Sequence, residues 1–465
     1  MTTPPEDFDT QLPARRRAAW IYDAPRRWWR DSRPLRRRSG AAHLAVAPTL
    51  PERDLVRVRS VVANLLGRHH PSTQRDEVGA IAEAYLGLND DGRTSFLRML
   101  AHEFWTDAAA VDAAAAALDP APTGRRAAEQ ALREALTPAA THLLHLFTGL
   151  ESGVKFLVDL RADLLRLRDR DPELSDLDVE LKAHLVTLFD VGLLSLRRIT
   201  WDEPASLLEK LIAYEAVHAI DSWADLKNRL DSDRRCYAFL HPAMPEEPLV
   251  FVEIALTRGL ADNLPDLLDE DAPDLSPTDA DTAIFYSISN CQPGLAGVNL
   301  GNALIKQVVE QLRVDLPDLD TFATLSPIPG FGRWLEAELR GGQLRDAERY
   351  LLPAAPQRVL ERLADANWAS DDSVEPALRA LCARYLTTGL ADRAIDPVAN
   401  FHLANGAAIE QINWMADPSE MGRRSSAGLM ATYRYEPEHI AERAEAYASR
   451  GEIAMSHFVR DLLKD

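Results

Sequence analysis

Three places in the chain carry residues whose types and spacing could do chemistry. Residues 285–301 read FYSISNCQPGLAGVNLG, an apolar and aromatic run that enters a turn holding Pro293, Gly294 and Gly297. An amphipathic stretch, VNLGNALIKQVVEQL, leaves that turn. Glycines let a backbone approach a ligand closely, and the unpaired N–H groups of a helix's first turn attract anions, so a strand, this turn and a helix in succession can hold a phosphate. In TFATLSPIPGF, Thr324 and Ser326 are two apart and share a strand face, while Pro327 and Pro329 stiffen the loop beyond them. In NFHLANGA, His402 can give or accept a proton near neutral pH, with Asn400 or Asn405 to orient it. Each has a plainer reading: a turn that only starts a helix, a serine that turns its own loop, a histidine satisfied in the core between Phe401 and Leu403.

The elements that must position these groups are read from periodicity. Residues 51–195 show apolar positions at helical spacing, with proline and glycine between the periodic stretches, which reads as an all-α helical bundle. Near residue 194 the texture changes. RRITWDEP reads as a turn before a helix that Pro204 could start, and RRCYAFLHPAMPEEPLVFVEIALT as a hairpin around a proline-rich turn. TAIFYSIS and TFATLS read as strands on either side of a helix over residues 298–313, residues 332–388 as helical again, and ATYRY as a last strand before a closing helix. The expected organisation is multidomain: a basic, flexible N-terminal tail over 1–50, a helical domain over 51–192, and an α/β catalytic domain over 193–465.

Bulk properties narrow the function. The chain has 465 residues, 46% of them hydrophobic, enough for two or three cores. Its formal charge of −20 argues against general nucleic-acid binding. Cys236, Cys291 and Cys382 are far apart, with no CxxC pair, so neither a zinc site nor a disulfide framework is indicated and a cytoplasmic location is expected. No apolar run is long enough for a membrane span. His69, His70 and His218 lack metal-ligand spacing. The first forty residues hold ten arginines and three tryptophans between residues 13 and 40, read as a tail able to dock on the acidic protein. With only six lysines in the chain, arginine and alanine richness suggests a GC-rich bacterial genome.

The glycine turn is neither a Walker motif nor a dinucleotide fingerprint. Gly294-Leu295-Ala296 instead resembles the Gx[GA] turn that grips the coenzyme A pyrophosphate in N-acetyltransferase-like folds, although Cys291, followed by Gln292, stands where that family usually has Gln or Arg. FYSISNCQPGLAGVNLGNALIK, TFATLSPIPGF, DPVANFHLANGA and INWMADPSEMGRRSSAGLMATYRY, in this order, strongly resemble the malonyl-CoA decarboxylase family, as do ITWDEPASLLEKLIAYEAVHAI and RRCYAFLHP before them. The resemblance covers residues 190–437. It implies a helical domain followed by an N-acetyltransferase-like (GNAT) catalytic domain, and conversion of malonyl-CoA to acetyl-CoA and carbon dioxide through an enolate, without metal or organic cofactor. It places the catalytic pair at Ser326 and His402, with Thr324 as the alternative hydroxyl, and substrate contacts at Gln292, Pro293, Gly294, Leu295, Ala296, Gly297, Val298, Thr324 and Asn405. Decarboxylation needs no thioester exchange, so Cys291 is read as structural. Arg423 and Arg424 are further candidates for a CoA phosphate, and Lys306 lies too far along its helix. Family likeness and the apolar helical surface imply a homo-oligomer, dimer or tetramer, joined through the helical domain. Two other functions fit the same motifs: an acyl-CoA-dependent acyltransferase, or a non-catalytic acyl-CoA sensor. Removal of malonyl-CoA would serve fatty-acid balance or malonate use.

Overall fold

The structure is a computed structural model that describes residues 44–67, 71–118, 124–298, 300–341, 374–390 and 393–464. Most of the arginine-rich tail (1–43), the pair His69 and His70, and residues 342–373 of the expected helical stretch lie outside the described residues.

The periodic N-terminal block is helical: α1 (Glu52–Leu66), α2 (Pro71–Leu86), α3 (Asp90–Glu103), α4 (Ala108–Ala116), α5 (Arg125–Leu136), α6 (Ala139–Thr148), α7 (Gly153–Arg168) and α8 (Ser175–Leu188). Local chemistry sets several starts. Asn89 accepts a hydrogen bond from the Gly92 N–H ahead of α3, and Asp107 accepts from Ala109 and Ala110 ahead of α4. Helix α8 buries Leu177, Leu181 and Leu185, one per turn. Helix α7 is buried nearly all round, because it is packed on both sides.

The second half is built on one seven-stranded sheet. Its strands are β1 (Ser195–Ile199), β2 (Arg234–His241), β3 (Met244–Thr257), β4 (Thr282–Asn290), β5 (Thr321–Pro327), β8 (Ala408–Asn413) and β9 (Met430–Tyr435), while β6 (Gly389–Leu390) and β7 (Arg393–Ala394) form a separate ribbon. The helices around it are α9 (Ala205–Tyr214), α10 (Trp223–Asn228), α11 (Leu264–Leu268), α12 (Leu300–Asp315), α13 (Phe331–Gly341), α14 (Glu375–Thr387), α15 (Pro397–Ala404), α16 (Glu420–Ser426), α17 (Ile440–Arg450) and α18 (His457–Asp461). Strand order is β1-β2-β3-β4-β5-β9-β8. All eight residues of β2 are buried, because the sheet is covered on both faces: Leu207 and Leu211 of α9 pack against Ala238 and Phe251, while Leu304, Val308 and Leu312 of α12 share a core with Phe239 and Val250.

Two local expectations are corrected. The stretch read as a turn before Pro204 begins inside the edge strand β1, which pairs with β2 from Ser195↔Leu240 to Ile199↔Cys236. Five residues with two arginines give too short a signal to read as a strand. The proline-rich hairpin turn is confined to Pro242 and Ala243, with Pro245 and Pro248 already in β3. Pairing slips register between Phe239 and His241, which accommodates residues that have no N–H to donate.

One pairing matters most for the site. β4 and β5 are parallel neighbours in a sheet whose other neighbouring strands are antiparallel, and they pair only from Thr282↔Thr321 to Phe285↔Thr324. Beyond that point β4 follows β3 as far as Asn290 and β5 follows β9 as far as Pro327. The sheet therefore parts between them, with the glycine turn at the end of one arm and Ser326 near the end of the other.

Candidate active site

Strand alternation sets the hydroxyl pair. Thr324 lies opposite Tyr433 and Ser326 opposite Ala431 on β9, and Ser326 Oγ donates to Thr324 Oγ1 at 2.8 Å. The Tyr433 N–H also donates to Thr324 Oγ1, at 3.4 Å. Helix α15 delivers the histidine. Asp396 caps it, accepting from the N–H groups of Val398 and Ala399, and Pro397 occupies its first position. The ring of His402 then lies over Tyr433, with centroids 4.4 Å apart, and its Nε2 is 3.1 Å from Ser326 Oγ. Ser326 is 6% and His402 2% exposed, so the pair is almost free of bulk water. Burial holds the imidazole down at about 3, so it is neutral near pH 7.

The residue that orients His402 is a correction. Its Nδ1 is 2.8 Å from the Tyr435 hydroxyl, and neither Asn400 nor Asn405 fills that role. Asn400 Oδ1 accepts from Tyr447 instead, and Asn405 Nδ2 is buried with no hydrogen-bond partner among the described residues. Tyr433 and Tyr435 alternate in ATYRY, so their common strand face was readable, but nothing in the word says that His402 lies on it.

A cleft of about 610 Å³ adjoins this cluster. Gln292, Pro293, Leu295, Ala296, Gly297 and Val298 line it from the glycine turn, and Phe401 and Asn405 line it from α15. His402 stands between those last two in sequence, but His402, Ser326 and Thr324 are not part of the cleft's wall. Gly294 is also absent from the wall. A Cβ there would stand 1.8 Å from the Val158 carbonyl oxygen, so this glycine serves the close approach of α7. Gly297 has φ of +78°, in the left-handed region. Arg423 and Arg424, on α16, and Lys306, on α12, do not line the cleft.

The turn is fastened from beneath by a residue that sequence reading missed. Arg161 of α7 donates from Nη1 to the carbonyls of Gly294 (2.7 Å) and Ala296 (2.8 Å), and from Nε to Asp178 of α8 (2.8 Å). It is 2% exposed and lies 133 positions from Gly294, a separation that leaves no local signal. Gln292 is buried too, its Nε2 donating to the Pro248 carbonyl at 3.0 Å. Burial pushes the Cys291 thiol well above its ordinary value, which makes it a poor nucleophile. Among the described residues no three His, Cys, Asp or Glu side chains converge to form a metal site.

Residues 192–465 match the sequence model described as the malonyl-CoA decarboxylase C-terminal domain, and residues 104–189 the malonyl-CoA decarboxylase N-terminal domain. The chain belongs to the malonyl-CoA decarboxylase family. It is 39% identical to the mitochondrial malonyl-CoA decarboxylase of Anser anser anser over 358 residues, 71% of each chain. It is also 39% identical to that of Mus musculus over 365 residues, 72% of this chain and 73% of the relative. Among solved structures, malonyl-CoA decarboxylase from Agrobacterium vitis is 39% identical, with a TM-score of 0.82 over 88% of this chain and all (100%) of the other. The one from Rhodopseudomonas palustris is 38% identical, with a TM-score of 0.80 over 88% and 99%. This malonyl-CoA decarboxylase family member thus shares the fold of its bacterial relatives, a helical region followed by an α/β sheet. No helix among its described residues is long and apolar enough to cross a membrane.

Proposed function

We propose that the chain is a carboxy-lyase that converts malonyl-CoA to acetyl-CoA and carbon dioxide at Ser326 and His402. The observation that carries the site assignment is the 3.1 Å contact between Ser326 Oγ and His402 Nε2, buried where β4 and β5 part. The turn residues 292–298 hold the coenzyme A pyrophosphate and pantetheine arm along the cleft, and the partnerless Asn405 amide offers a donor to the arm. The malonyl group lies toward the Ser326–His402 pair. Breaking the bond from Cα to the carboxylate carbon releases carbon dioxide and leaves the electron pair on Cα, delocalised onto the thioester oxygen as an enolate. Ser326 hydrogen-bonds the malonyl group, at its carboxylate or its thioester oxygen. Neutral His402 stabilises the enolate by an N–H donor and relays a proton from water to Cα, regaining from that water the proton it gives, or orders the water that protonates Cα directly; the hydroxide left combines with carbon dioxide or takes a proton from solvent. Tyr435 holds the ring in place.

The same reading needs no metal or organic cofactor, coenzyme A being part of the substrate. It takes residues 51–192 as a helical, oligomerising domain and 193–465 as the catalytic domain, in a cytoplasmic homo-oligomer. The deciding experiment is incubation of the purified protein with malonyl-CoA without added metal, following acetyl-CoA and carbon dioxide together. Equal release of both is expected. Intact malonyl-CoA despite demonstrable coenzyme A binding would defeat the reading.

A further inference from the structure

A coenzyme A thioester brings a pyrophosphate to a protein whose formal charge is −20. The cleft wall offers nothing to offset it: none of the residues that line it carries a charged side chain. The N–H groups of Leu295, Ala296 and Val298 already donate within the turn, to the carbonyls of Gln292, Pro293 and Leu295, but at the turn's outer edge stands a full charge. Lys182, on α8, places Nζ 2.9 Å from the point where a Cβ on Gly297 would be. The missing side chain at Gly297 therefore opens the space the ammonium occupies, beside the exposed rim of the turn. Lys182 forms no ion pair among the described residues. Asp178, one helical turn before it, is already engaged by Arg161 Nε (2.8 Å) and Arg168 Nη1 (2.5 Å). Inside the same cleft, the Asn405 side-chain nitrogen is buried and unpartnered, which independently marks the cleft as built for a polar ligand.

We propose that Lys182 contacts the pyrophosphate of the bound coenzyme A thioester, so that the helical region completes the substrate site across the glycine turn. This rests on the reading of residues 292–298 as the coenzyme A turn. A lysine acts here as a compact point charge with three donors, held at the rim of a cleft that the helical region itself fastens through Arg161.

The test compares wild type, K182A and K182R on malonyl-CoA, malonyl-3′-dephospho-CoA and malonyl-pantetheine. The expected ratio of wild-type to K182A kcat/KM is about 10 on the first two thioesters and about 1 on the third, which lacks the pyrophosphate. The loss is expected in KM rather than kcat, and K182R is expected to recover most of it. A penalty confined to malonyl-CoA would assign the charge to the 3′-phosphate and overturn the proposal, as would an equal penalty, or none, on all three substrates. Wild-type turnover of malonyl-CoA with any of those patterns would leave the decarboxylase reading standing. Wild-type inactivity would remove that reading and this inference together.

Discussion

His402 is a neutral imidazole held in a dry site, and this has two consequences at the scale of single residues. S326A and H402A are each expected to lower kcat about 100- to 1000-fold, with the double variant little worse than either, because the two act on one developing charge. Calorimetric titration with coenzyme A should show binding retained. Loss of binding along with turnover would mean that these side chains shape the site and do no chemistry. Y435F is expected to cut kcat more than KM, since it frees the imidazole without touching the turn. The second consequence concerns pH. Burial lowers His402 from its ordinary 6.5 to about 3. The unfolded chain therefore takes up this proton below about pH 6.5 while the folded one refuses it until about pH 3, so the stability contributed by the neutral ring is full above the first value and lost as pH falls toward the second. His184 and His218, both lowered by burial to about 4, act in the same direction. H402Q should consequently lose less stability than wild type when urea midpoints at pH 7 and about pH 4.5 are compared. An equal or larger loss would contradict the burial argument. The pH profile of kcat/KM is expected to show no imidazole limb between about pH 5 and 8.

At the scale of elements, the glycine turn depends on α7 as much as on its own residues. R161A would leave the Gly294 and Ala296 carbonyls without their donor, and is expected to destabilise the fold by about 3–5 kcal/mol, as removal of one partner from a buried ionic network does. G294A forces a methyl group against the Val158 carbonyl and is expected to cost about 1–3 kcal/mol or more, through the same interface. Thermal melts measure both. The KM for malonyl-CoA should rise in each, since a loosened turn no longer holds the cleft wall in place. Unchanged KM in a destabilised variant would separate the fastening of α7 from substrate binding. The parting of β4 and β5 belongs at this scale too. Four paired positions and then divergence create the gap in which the proposed function places the pantetheine arm, and both strands keep their backbone partners on the outer side.

At the scale of the whole molecule, one hydrophobic core runs through both halves of the chain. Leu157 and Val158 of α7 share it with Leu295 after the turn, Leu300 of α12 and Val250 of β3. The full chain is therefore expected to unfold in a single transition, with tryptophan fluorescence and far-ultraviolet circular dichroism coincident in urea. Two separated transitions would show the halves to be independent. The proposed homo-oligomer has its candidate surface on α8, where Val179 and Val186 are 63% and 48% exposed two helical turns apart. Light scattering at micromolar concentration should give a dimer or tetramer, and a monomer would remove the oligomer from the reading.

Periodicity alone marks the helical block, the main strands and the helix after the glycine turn, because each is written in neighbours three, four or two positions apart. The short words around Ser326 and His402 single out the two side chains that the fold brings together, and alternation already puts Thr324 on the same face as Ser326. The edge strand β1 escapes, since five residues carry too little pattern to outweigh two arginines. The larger gap lies in contacts between distant parts of the chain. That Tyr435 orients His402, that Gly294 is a glycine for the sake of α7, and that Arg161 and Lys182 reach the turn from more than a hundred positions away are products of folding. Such contacts are set by how whole elements pack, and packing places side chains together without leaving a period, a spacing or a composition by which a single sequence could announce them.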